Sequence, residues 1–369
     1  MKRVISVTTD RQPGGIANAL ISYSRALHIA GYNHLVILPE GASVSPILAK
    51  EPNVVIKTFP LFWLKFHIQT GFLFTPSTRT TLLHASAMLV HNARHLTGLS
   101  RLALPQFCIN HSGKVRHLEK AQNIIFLSSA AAHRAKTTFK SRGIAEADHP
   151  QSFILPHGFS LPEKQASKAN NNRAGNNRTS NNTVPVIIAA GRFVEKKGFA
   201  DLIDAAAILQ SKNIAGNIEI YGTGQLSAAL ASKIEQLGVK NLTIKGWADD
   251  LATCFRAADI FCLPSHEEPF GLIVGEAMLA GLPVVASNTD GPSDILGADG
   301  TNKEATLRYG GLIFPRGNPE ALADALTHLL TDKSARKAAS IAGQHNIQNN
   351  YSLEKQAEAL QAILALARR

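Results

Sequence analysis

The stretch IFCLPSHEEPFGLIVGEAMLAGLPVVAS, residues 260–287, predicts the architecture of the chain. It reads as an apolar strand at 260–263, a polar loop, a helix and a second apolar strand at 283–286. Wholly apolar strands joined by a helix are typical of a parallel sheet that is covered by helices on both faces. We therefore expect an α/β protein with doubly wound parallel sheets.

The polar loop and the helix after it carry two acids, Glu268 and Glu276, with seven residues between them. Such a loop lies at the carboxyl end of a parallel strand, where open α/β sheets bind their ligands. Eight residues of helix rise about 12 Å, enough to place one acid near a sugar and the other further along a nucleotide. The helix start offers unpaired N–H groups to a phosphate.

Composition and length point to a globular protein of two domains. The chain has 369 residues, 45% hydrophobic and 18% charged, which suits two cores of ordinary size. No apolar run approaches the roughly 20 residues that span a bilayer, and the first residues lack a signal-peptide pattern. Cys108, Cys254 and Cys262 show no metal-ligand spacing, so we expect buried reduced thiols in a cytoplasmic protein.

The formal net charge of +11 indicates an anionic partner, such as a nucleotide, a phospholipid surface or a nucleic acid. Residues 94–143 contain nine Lys/Arg and a single acid, Glu119; a solvated basic face is the alternative interpretation. In residues 60–74 aromatic and basic residues interleave. This segment predicts either a surface that touches lipid or a lipid-linked acceptor, or a helix of the core.

The first half begins with a strand at 3–7, a turn containing Gly14 and Gly15, a helix at 16–30 and a strand at 34–39. Glycines in such a turn let a backbone approach a phosphate or sugar closely. Further strands are predicted at 53–58, 81–85, 106–110 and 123–128. His111 follows the strand at 106–110 and is therefore expected at the ligand-binding edge of the sheet.

The second half follows an Asn-rich linker at 166–183, whose polar composition predicts no core of its own. A strand at 184–190 leads into a loop with Arg192 and Lys197. A guanidinium fork beside an ammonium suits a diphosphate, although a surface salt bridge is the alternative. Strands at 218–221 and 242–246 follow, the first ending at Gly222 and Gly224.

Together these residues resemble the retaining GT-B glycosyltransferases of family 4, also called glycosyltransferase group 1, and are similar to bacterial lipopolysaccharide and surface-glycan glycosyltransferases. The resemblance rests on the Gly14-Gly15 turn, His111, the GRFVEKKG loop at 191–198, the GTG turn at 222–224 and the E-PFGLIVG-E element. It implies two Rossmann-like domains facing a cleft, at 1–165 and 184–350, and a C-terminal helix at 351–369 that crosses back to the first.

The resemblance also implies roles for single residues. Glu276 would bind the ribose hydroxyls, Glu268 the donor sugar, and Arg192 with Lys197 the diphosphate, while His111 would face the donor sugar. Residues that would lie beside the nucleotide or acceptor are Gly14, Gly15, Phe270, Gly271, Leu272, Gly222 and Gly224. Fixed cations and helix N–H groups stabilise a departing diphosphate without a metal. We expect no metal and no cofactor beyond a UDP- or GDP-sugar donor.

The predicted function is transfer of a sugar, with retention and without a metal, to a glycan or lipid-linked acceptor of lipopolysaccharide or surface-polysaccharide synthesis. Peripheral contact with an anionic membrane at the inner face of the cell membrane is part of this prediction. A nucleotide-sugar epimerase of the same fold is the alternative, and it would act on the donor alone. A nucleic-acid-binding protein is suggested by charge alone, and the sequence lacks a motif for it.

Overall fold

The structure, a computed structural model, describes residues 2–12, 14–70, 84–99, 102, 104–160, 184–297 and 307–366. The chain divides into two compact units, Met1–Ser160 with Tyr351–Arg369, and Leu161–Asn350. Each unit is built on one parallel sheet with helices between its strands. The predicted α/β class with two doubly wound sheets is confirmed. The predicted linker at 166–183 lies outside the described residues.

The first unit contains a sheet of seven parallel strands in the order β3-β2-β1-β4-β5-β6-β7. The strands are β1 Arg3–Val7, β2 Asn33–Pro39, β3 Val54–Phe59, β4 Ala87–Val90, β5 Gln106–Asn110, β6 Asn123–Phe126 and β7 Gln151–Ile154. The central strands β4, β5 and β6 are buried along their whole length. Their apolar runs therefore reflect burial on both faces of the sheet.

In the described residues, five helices lie between these strands: α1 Gly15–Ile29, α2 Ser45–Leu48, α3 Leu61–Thr70, α4 Leu96–Leu99 and α5 Ser129–Ser141. In α5 the Ser128 side chain caps the helix by accepting a hydrogen bond from the N–H of Ala131, at 3.2 Å. The core beneath the helices contains Ile5, Leu64 and Ile124, all fully buried. These contacts pack both faces of the sheet.

The second unit contains six parallel strands in the order β10-β9-β8-β11-β12-β13. They are β8 Val186–Ala190, β9 Asn217–Tyr221, β10 Leu242–Gly246, β11 Ile260–Leu263, β12 Val284–Ser287 and β13 Gly311–Phe314. The helices are α6 Phe199–Ser211, α7 Ser227–Gln236, α8 Leu251–Arg256, α9 Leu272–Leu279, α10 Asp290–Ile295, α11 Pro319–Thr331 and α12 Lys333–Asn350. The strands β11 and β12 and the helix α9 form the stretch from which the architecture was predicted.

The last helix, α13 Leu353–Leu366, belongs to the first unit and packs against α1. Leu360 is fully buried in this contact region. The Ser22 hydroxyl of α1 makes hydrogen-bond contacts with Gln356 Oε1 at 2.7 Å and with the Gly158 carbonyl at 3.0 Å. The end of the chain is therefore tied to the first unit by both apolar and polar contacts.

Two local predictions, one of a strand and one of a buried cysteine, differ from the structure. The prediction of a strand at 81–85 is wrong at residues 84 and 85, which are not part of a strand, because β4 begins at Ala87. Residues 81–83 lie outside the described part. Apolar residues occur both at 82–83 and at 87–90, and the run at 87–90 is the one that forms the buried strand β4. Cys254 is only half-buried because it lies on the short helix α8, whereas Cys108 and Cys262 are buried in strands.

The aromatic segment at 60–74 matches neither alternative alone. Leu64 and Ile68 of α3 are fully buried, while Phe62 is 72% exposed, Trp63 52% and Phe66 39%. One face of the helix thus enters the core, and the other leaves three large aromatic rings in solvent. Residues 71–74 lie outside the described part. Among the described helices, none is both long and apolar enough to cross a membrane.

Candidate functional site

The predicted site loops of the second unit lie next to each other because β8 pairs with β11. The loop after β8 spans residues 191–198, and the loop after β11 spans 264–271. The N–H groups of His266 and Glu267 both donate to the Lys196 carbonyl, at 2.8 and 3.2 Å. Strand pairing and these hydrogen bonds bring two sequence-distant loops to the carboxyl edge of the sheet.

Lys197 and Glu268 form an ion pair across these two loops. The distance from Lys197 Nζ to Glu268 Oε2 is 2.5 Å, and the side chains are 19% and 13% exposed. An ion pair so sheltered from water is stronger than one on the open surface. The predicted diphosphate cation and the predicted sugar-binding acid therefore neutralise each other in this structure.

Arg192 lies five residues before Lys197 and is exposed. Its guanidinium makes neither a hydrogen bond nor an ion pair with any residue in the part of the chain that the structure describes. The alternative of a surface salt bridge therefore does not apply to Arg192 among these residues. A planar fork of donors remains available to an anion.

Glu276 lies on α9, and Glu268 lies in the loop before it. The predicted helical rise between the two acids is therefore wrong, because α9 begins only at Leu272. The residue Glu276 is accessible, yet burial among protein atoms raises the pKa of its carboxyl group. Within the described ranges, this carboxylate accepts no hydrogen bond. It is suited to accept hydrogen bonds from the hydroxyls of a ligand.

The start of α9 is held from two sides. Gly271, the residue before the helix, has a φ of 85°, and a Cβ there would lie 3.3 Å from Glu268 Cγ. Phe270 is buried, and a Cβ on Gly291 would overlap its backbone. The Gly291 N–H donates to the Glu268 carbonyl at 3.1 Å. The N–H groups at Phe270, Gly271 and Leu272 thus belong to a tightly packed helix entrance.

Gly222 and Gly224 have a packing role that the sequence did not reveal. A Cβ on Gly222 would overlap the carbonyl oxygen of Gly191, and one on Gly224 would lie 2.5 Å from the Phe193 oxygen. The turn after β9 therefore packs directly on the loop that carries Arg192. Contact of these two glycines with a nucleotide stays a prediction.

Sequence reasoning missed the two residues that hold His266 in place. Its Nε2 lies 2.7 Å from Asp201 Oδ2, and its carbonyl accepts a hydrogen bond from Arg316 Nη1 at 3.2 Å. The only local signal was the position of His266 inside the loop already singled out. Asp201 and Arg316 are 65 and 50 residues away along the chain, so their proximity depends on the sheet.

His111 in the first unit lies beside two further histidines at the carboxyl edge of the sheet. His91 follows β4 and His157 follows β7. His91 Nδ1 lies 2.8 Å from His111 Nε2, with the two ring planes within 9° of parallel and their centroids 5.1 Å apart. The planes of the His111 and His157 rings are within 11° of parallel, and their centroids are 5.9 Å apart. Each histidine is the first imidazole after a strand, a signal that the prediction applied to His111 alone.

Burial keeps this group uncharged at neutral pH. It lowers the pKa of His111 to about 4 and that of His157 to about 3, and it lowers the pKa of His91 well below its usual value. Removing water disfavours the charged imidazolium, which is why each pKa falls. The three rings therefore act through hydrogen bonds and not through positive charge.

Gly14 and Gly15 lie at the start of α1, the helix that follows the carboxyl end of β1, and β1 pairs with β4, the strand that precedes His91. A Cβ added to either glycine would meet no described atom within 4 Å. The backbone there is open to a ligand, and contact with a phosphate or acceptor stays a prediction. No group of three or more His, Cys, Asp or Glu that could hold a metal occurs in the described ranges.

The model of the family "Glycosyl transferases group 1" matches residues 171–346. The lipopolysaccharide core biosynthesis glycosyltransferase LpsE of Rhizobium meliloti is 31% identical over 182 residues, 49% of this chain and 50% of that protein. The D-inositol 3-phosphate glycosyltransferase of Paenarthrobacter aurescens is 34% identical over 158 residues, 41% of this chain and 36% of that protein. The chain thus spans about half or less of the length of these curated relatives.

Solved structures resemble the whole chain in fold. HepE of Anabaena in complex with UDP-glucose has a TM-score of 0.74 at 17% identity, covering 99% of this chain and 100% of that one. S. aureus TarM in complex with UDP has a TM-score of 0.72 at 14% identity, with the same coverage. The GT-B fold implied by the sequence is confirmed. Residues 171–346, nearly all of the second unit, are similar to the group 1 glycosyltransferases.

Proposed function

We propose that this protein transfers a sugar from a nucleotide-sugar donor to a glycan or lipid-linked acceptor. The observation that carries the proposal is the Lys197–Glu268 pair at the carboxyl edge of the second sheet, with Arg192 on the same loop as Lys197 and Glu276 on the helix that follows Glu268. Cations for a diphosphate and acids for sugar hydroxyls are the groups that bind a nucleotide sugar. Relatives named as lipopolysaccharide core glycosyltransferases support an acceptor of that kind.

The Glu276 carboxylate holds the nucleotide by accepting hydrogen bonds from the two ribose hydroxyls. The HepE structure is a complex with UDP-glucose, and one relative is named a GDP-mannose-dependent mannosyltransferase. These names support a UDP- or GDP-sugar as the donor here. The nucleotide sugar is a substrate, and the proposed reaction uses no further cofactor.

Arrival of the diphosphate exchanges the partners of Lys197. In the structure its ammonium group binds Glu268 at 2.5 Å. In the proposed complex, Lys197 and the exposed guanidinium of Arg192 bind phosphate oxygens, and Glu268 is released to accept hydrogen bonds from the sugar. Negative charge grows on the departing diphosphate during transfer, and these fixed cations stabilise it. In the first unit, His111 hydrogen-bonds a sugar hydroxyl.

Glu276→Gln tests the nucleotide site. The substitution keeps the shape of the side chain but removes the charge, and a hydrogen bond to a charged group contributes about 1.5–3 kcal/mol. We expect UDP or GDP, titrated calorimetrically, to bind about tenfold to a hundredfold more weakly. Glu235→Gln, at an accessible position of α7, is the matched control and should bind as the wild type does. Equal affinity of Glu276→Gln and wild type would refute the role of Glu276.

Product analysis separates the two enzyme functions. A transferase leaves the sugar of its donor unchanged when no acceptor is present, whereas an epimerase converts the donor alone. Incubation of the wild type with UDP- and GDP-sugars, with and without a lipid-linked glycan, distinguishes them. Complete epimerisation of a donor without acceptor would overturn the proposed transfer.

The exposed face of α3 supports the finer proposal that the first unit contacts an anionic membrane carrying the acceptor. Phe62, Trp63 and Phe66 leave large ring areas in solvent, and Lys65 lies among them on the exposed side of the helix. Aromatic rings and cations on one helix face suit the boundary between lipid headgroups and acyl chains.

A flotation assay tests this contact with vesicles of phosphatidylglycerol and phosphatidylcholine. We expect the wild type to float and the Trp63→Ala/Phe66→Ala variant to lose most of its binding. Leu366→Ala is the matched control, because Leu366 is also exposed, at 64%. Equal flotation of wild type and double variant would contradict the role of α3.

A further inference from the structure

A continuous chain of hydrogen bonds runs through the interior of the first unit from α1 to His111. We call it the histidine chain; its members are the Leu20 carbonyl, Ser24, His34, Ser6, His91 and His111. Ser24, His34 and Ser6 are fully buried, and His91 is 2% exposed. Because every link joins groups of known donor and acceptor capacity, the position of each proton can be worked out from one end.

The direction is set where the chain begins, at α1. Ser24 Oγ lies 2.7 Å from the Leu20 carbonyl oxygen, which can only accept. The single hydroxyl proton of Ser24 must therefore lie between these two oxygens, since two oxygens so close without a proton repel each other. His34 Nδ1 lies 2.8 Å from the same hydroxyl oxygen. His34 Nδ1 consequently carries a proton and donates it to Ser24.

The next link transmits this direction through a neutral ring. Burial lowers the pKa of His34 to about 3, so the ring carries one proton only, and Nε2 is an acceptor. Ser6 Oγ lies 2.8 Å from His34 Nε2 and must donate its proton there. His91 Nε2, 3.2 Å from the Ser6 oxygen, then has to be the donor to Ser6.

The last link reaches His111. Burial lowers the pKa of His91 as well, and with its proton on Nε2 its Nδ1 is an acceptor. His111 Nε2, at 2.8 Å, therefore donates to His91. His111 is neutral too, so its Nδ1 has a free lone pair. In the described part of the chain, this nitrogen accepts no hydrogen bond, and His111 is the least buried member of the chain.

We propose that the histidine chain fixes His111 in the Nε2–H tautomer and presents its Nδ1 as an acceptor for a substrate hydroxyl. Ser24, His34, Ser6 and His91 are positioning residues for this nitrogen. The choice of a sugar hydroxyl as partner rests on the proposed function. An acceptor at this point selects a hydroxyl and rejects a carbonyl or a deoxy position, because neither can donate.

The surroundings protect the direction of the chain. Tyr23 is fully buried and places its ring edge-on to both His91 and His157, with centroids 6.0 and 5.9 Å apart. The His157 ring lies nearly parallel to that of His111, with the centroids 5.9 Å apart. On these sides the chain is therefore bordered by aromatic rings.

Long-range proton–nitrogen NMR of the nitrogen-15-labelled full chain, free of substrate at about pH 7.5, reads the tautomer directly. In the wild type we expect His111 with a protonated Nε2 and an unprotonated Nδ1. A protonated Nδ1 on His111 overturns the proposal. This measurement needs no activity, so its outcome is separate from that of the proposed transferase function.

Ser24→Ala removes the anchor of the chain four hydrogen bonds away from His111, and alanine suits a helix interior. We expect His111 to become a mixture of both tautomers. The matched control is Ser22→Ala, buried on the same helix but bonded to Gly158 and Gln356 instead; its His111 should keep the wild-type tautomer. Ser24→Thr, whose hydroxyl can also bond the i−4 carbonyl, should restore it. An unchanged tautomer in Ser24→Ala refutes the chain.

The effect on kinetics follows from the fraction of the protein in which His111 is the Nε2–H tautomer, the form that can accept the substrate hydroxyl at Nδ1. An even mixture halves that population, so kcat/KM of Ser24→Ala should fall about twofold, and full inversion should lower it about tenfold. Ser24→Thr should recover the loss, and Ser22→Ala should show none. A mixed tautomer with unchanged kcat/KM would show that Nδ1 does not bind the substrate. A wild type without any transfer activity would instead reject the proposed function and leave the tautomer intact.

Discussion

Acidification should destabilise the first unit through three histidines that its interior keeps uncharged. His34 is fully buried, and His91 and His157 are each 2% exposed. Burial lowers the pKa of His34 and His157 to about 3 and that of His91 well below its usual value. The perturbation is a change from about pH 7.5 to about pH 5.

The sign follows from proton binding in the two states. An unfolded histidine has a pKa of about 6.5, so below that pH the unfolded chain binds protons that the folded chain does not. Stability is therefore fully present above about pH 6.5 and is lost as the pH falls toward the folded pKa of about 3. At pH 5 each of His34 and His157 costs about 2 kcal/mol, so these two cost about 4 kcal/mol, and His91 adds to the loss. The total free energy of unfolding of a typical domain is about 5–15 kcal/mol.

Denaturant unfolding of the wild type and of His34→Gln at both pH values measures how much one histidine contributes to the pH dependence of stability. Glutamine keeps a donor and an acceptor but does not titrate. On acidification the free energy of unfolding of the wild type should fall by about 2 kcal/mol more than that of His34→Gln. Val36→Ala, a buried and non-titrating position on the same strand, should differ from wild type equally at both pH values. A His34→Gln difference that is independent of pH would refute the reasoning.

Three further outcomes follow from the second unit. Gly291→Ala should destabilise it by more than about 2 kcal/mol in denaturant unfolding, because the added methyl overlaps the Phe270 backbone; an unchanged midpoint would contradict this packing. Lys197→Met should slow sugar transfer about a hundredfold while donor affinity changes less, since its charge acts mainly on the departing diphosphate; unchanged kcat would exclude that role. Asn318→Ala should cost about 1 kcal/mol, measured by the same unfolding, because the Asn318 side chain accepts from the Ala321 N–H at 2.9 Å.

Much of the architecture was readable from local pattern. Apolar runs such as residues 260–263 and 283–286 alternate with helical periodicity, and this order predicts a parallel sheet without any knowledge of contacts. The polar residues after strands, including His111 and Glu268, mark the ligand edge because the carboxyl ends of parallel strands lie together. The strand predicted at 81–85 was misplaced, because apolar runs occur at 82–83 and at 87–90 and composition alone does not choose between them.

The pairings inside the sites needed the tertiary structure. Lys197 and Glu268 are 71 residues apart and meet because β8 and β11 are neighbours, a strand order that local sequence does not specify. His91 and His111 likewise meet because β4 pairs with β5. The uncharged state of these histidines depends on how much water the whole unit excludes. Residue type and spacing therefore identify which groups can do chemistry, whereas strand order and burial decide which partner each one has and whether it carries a charge.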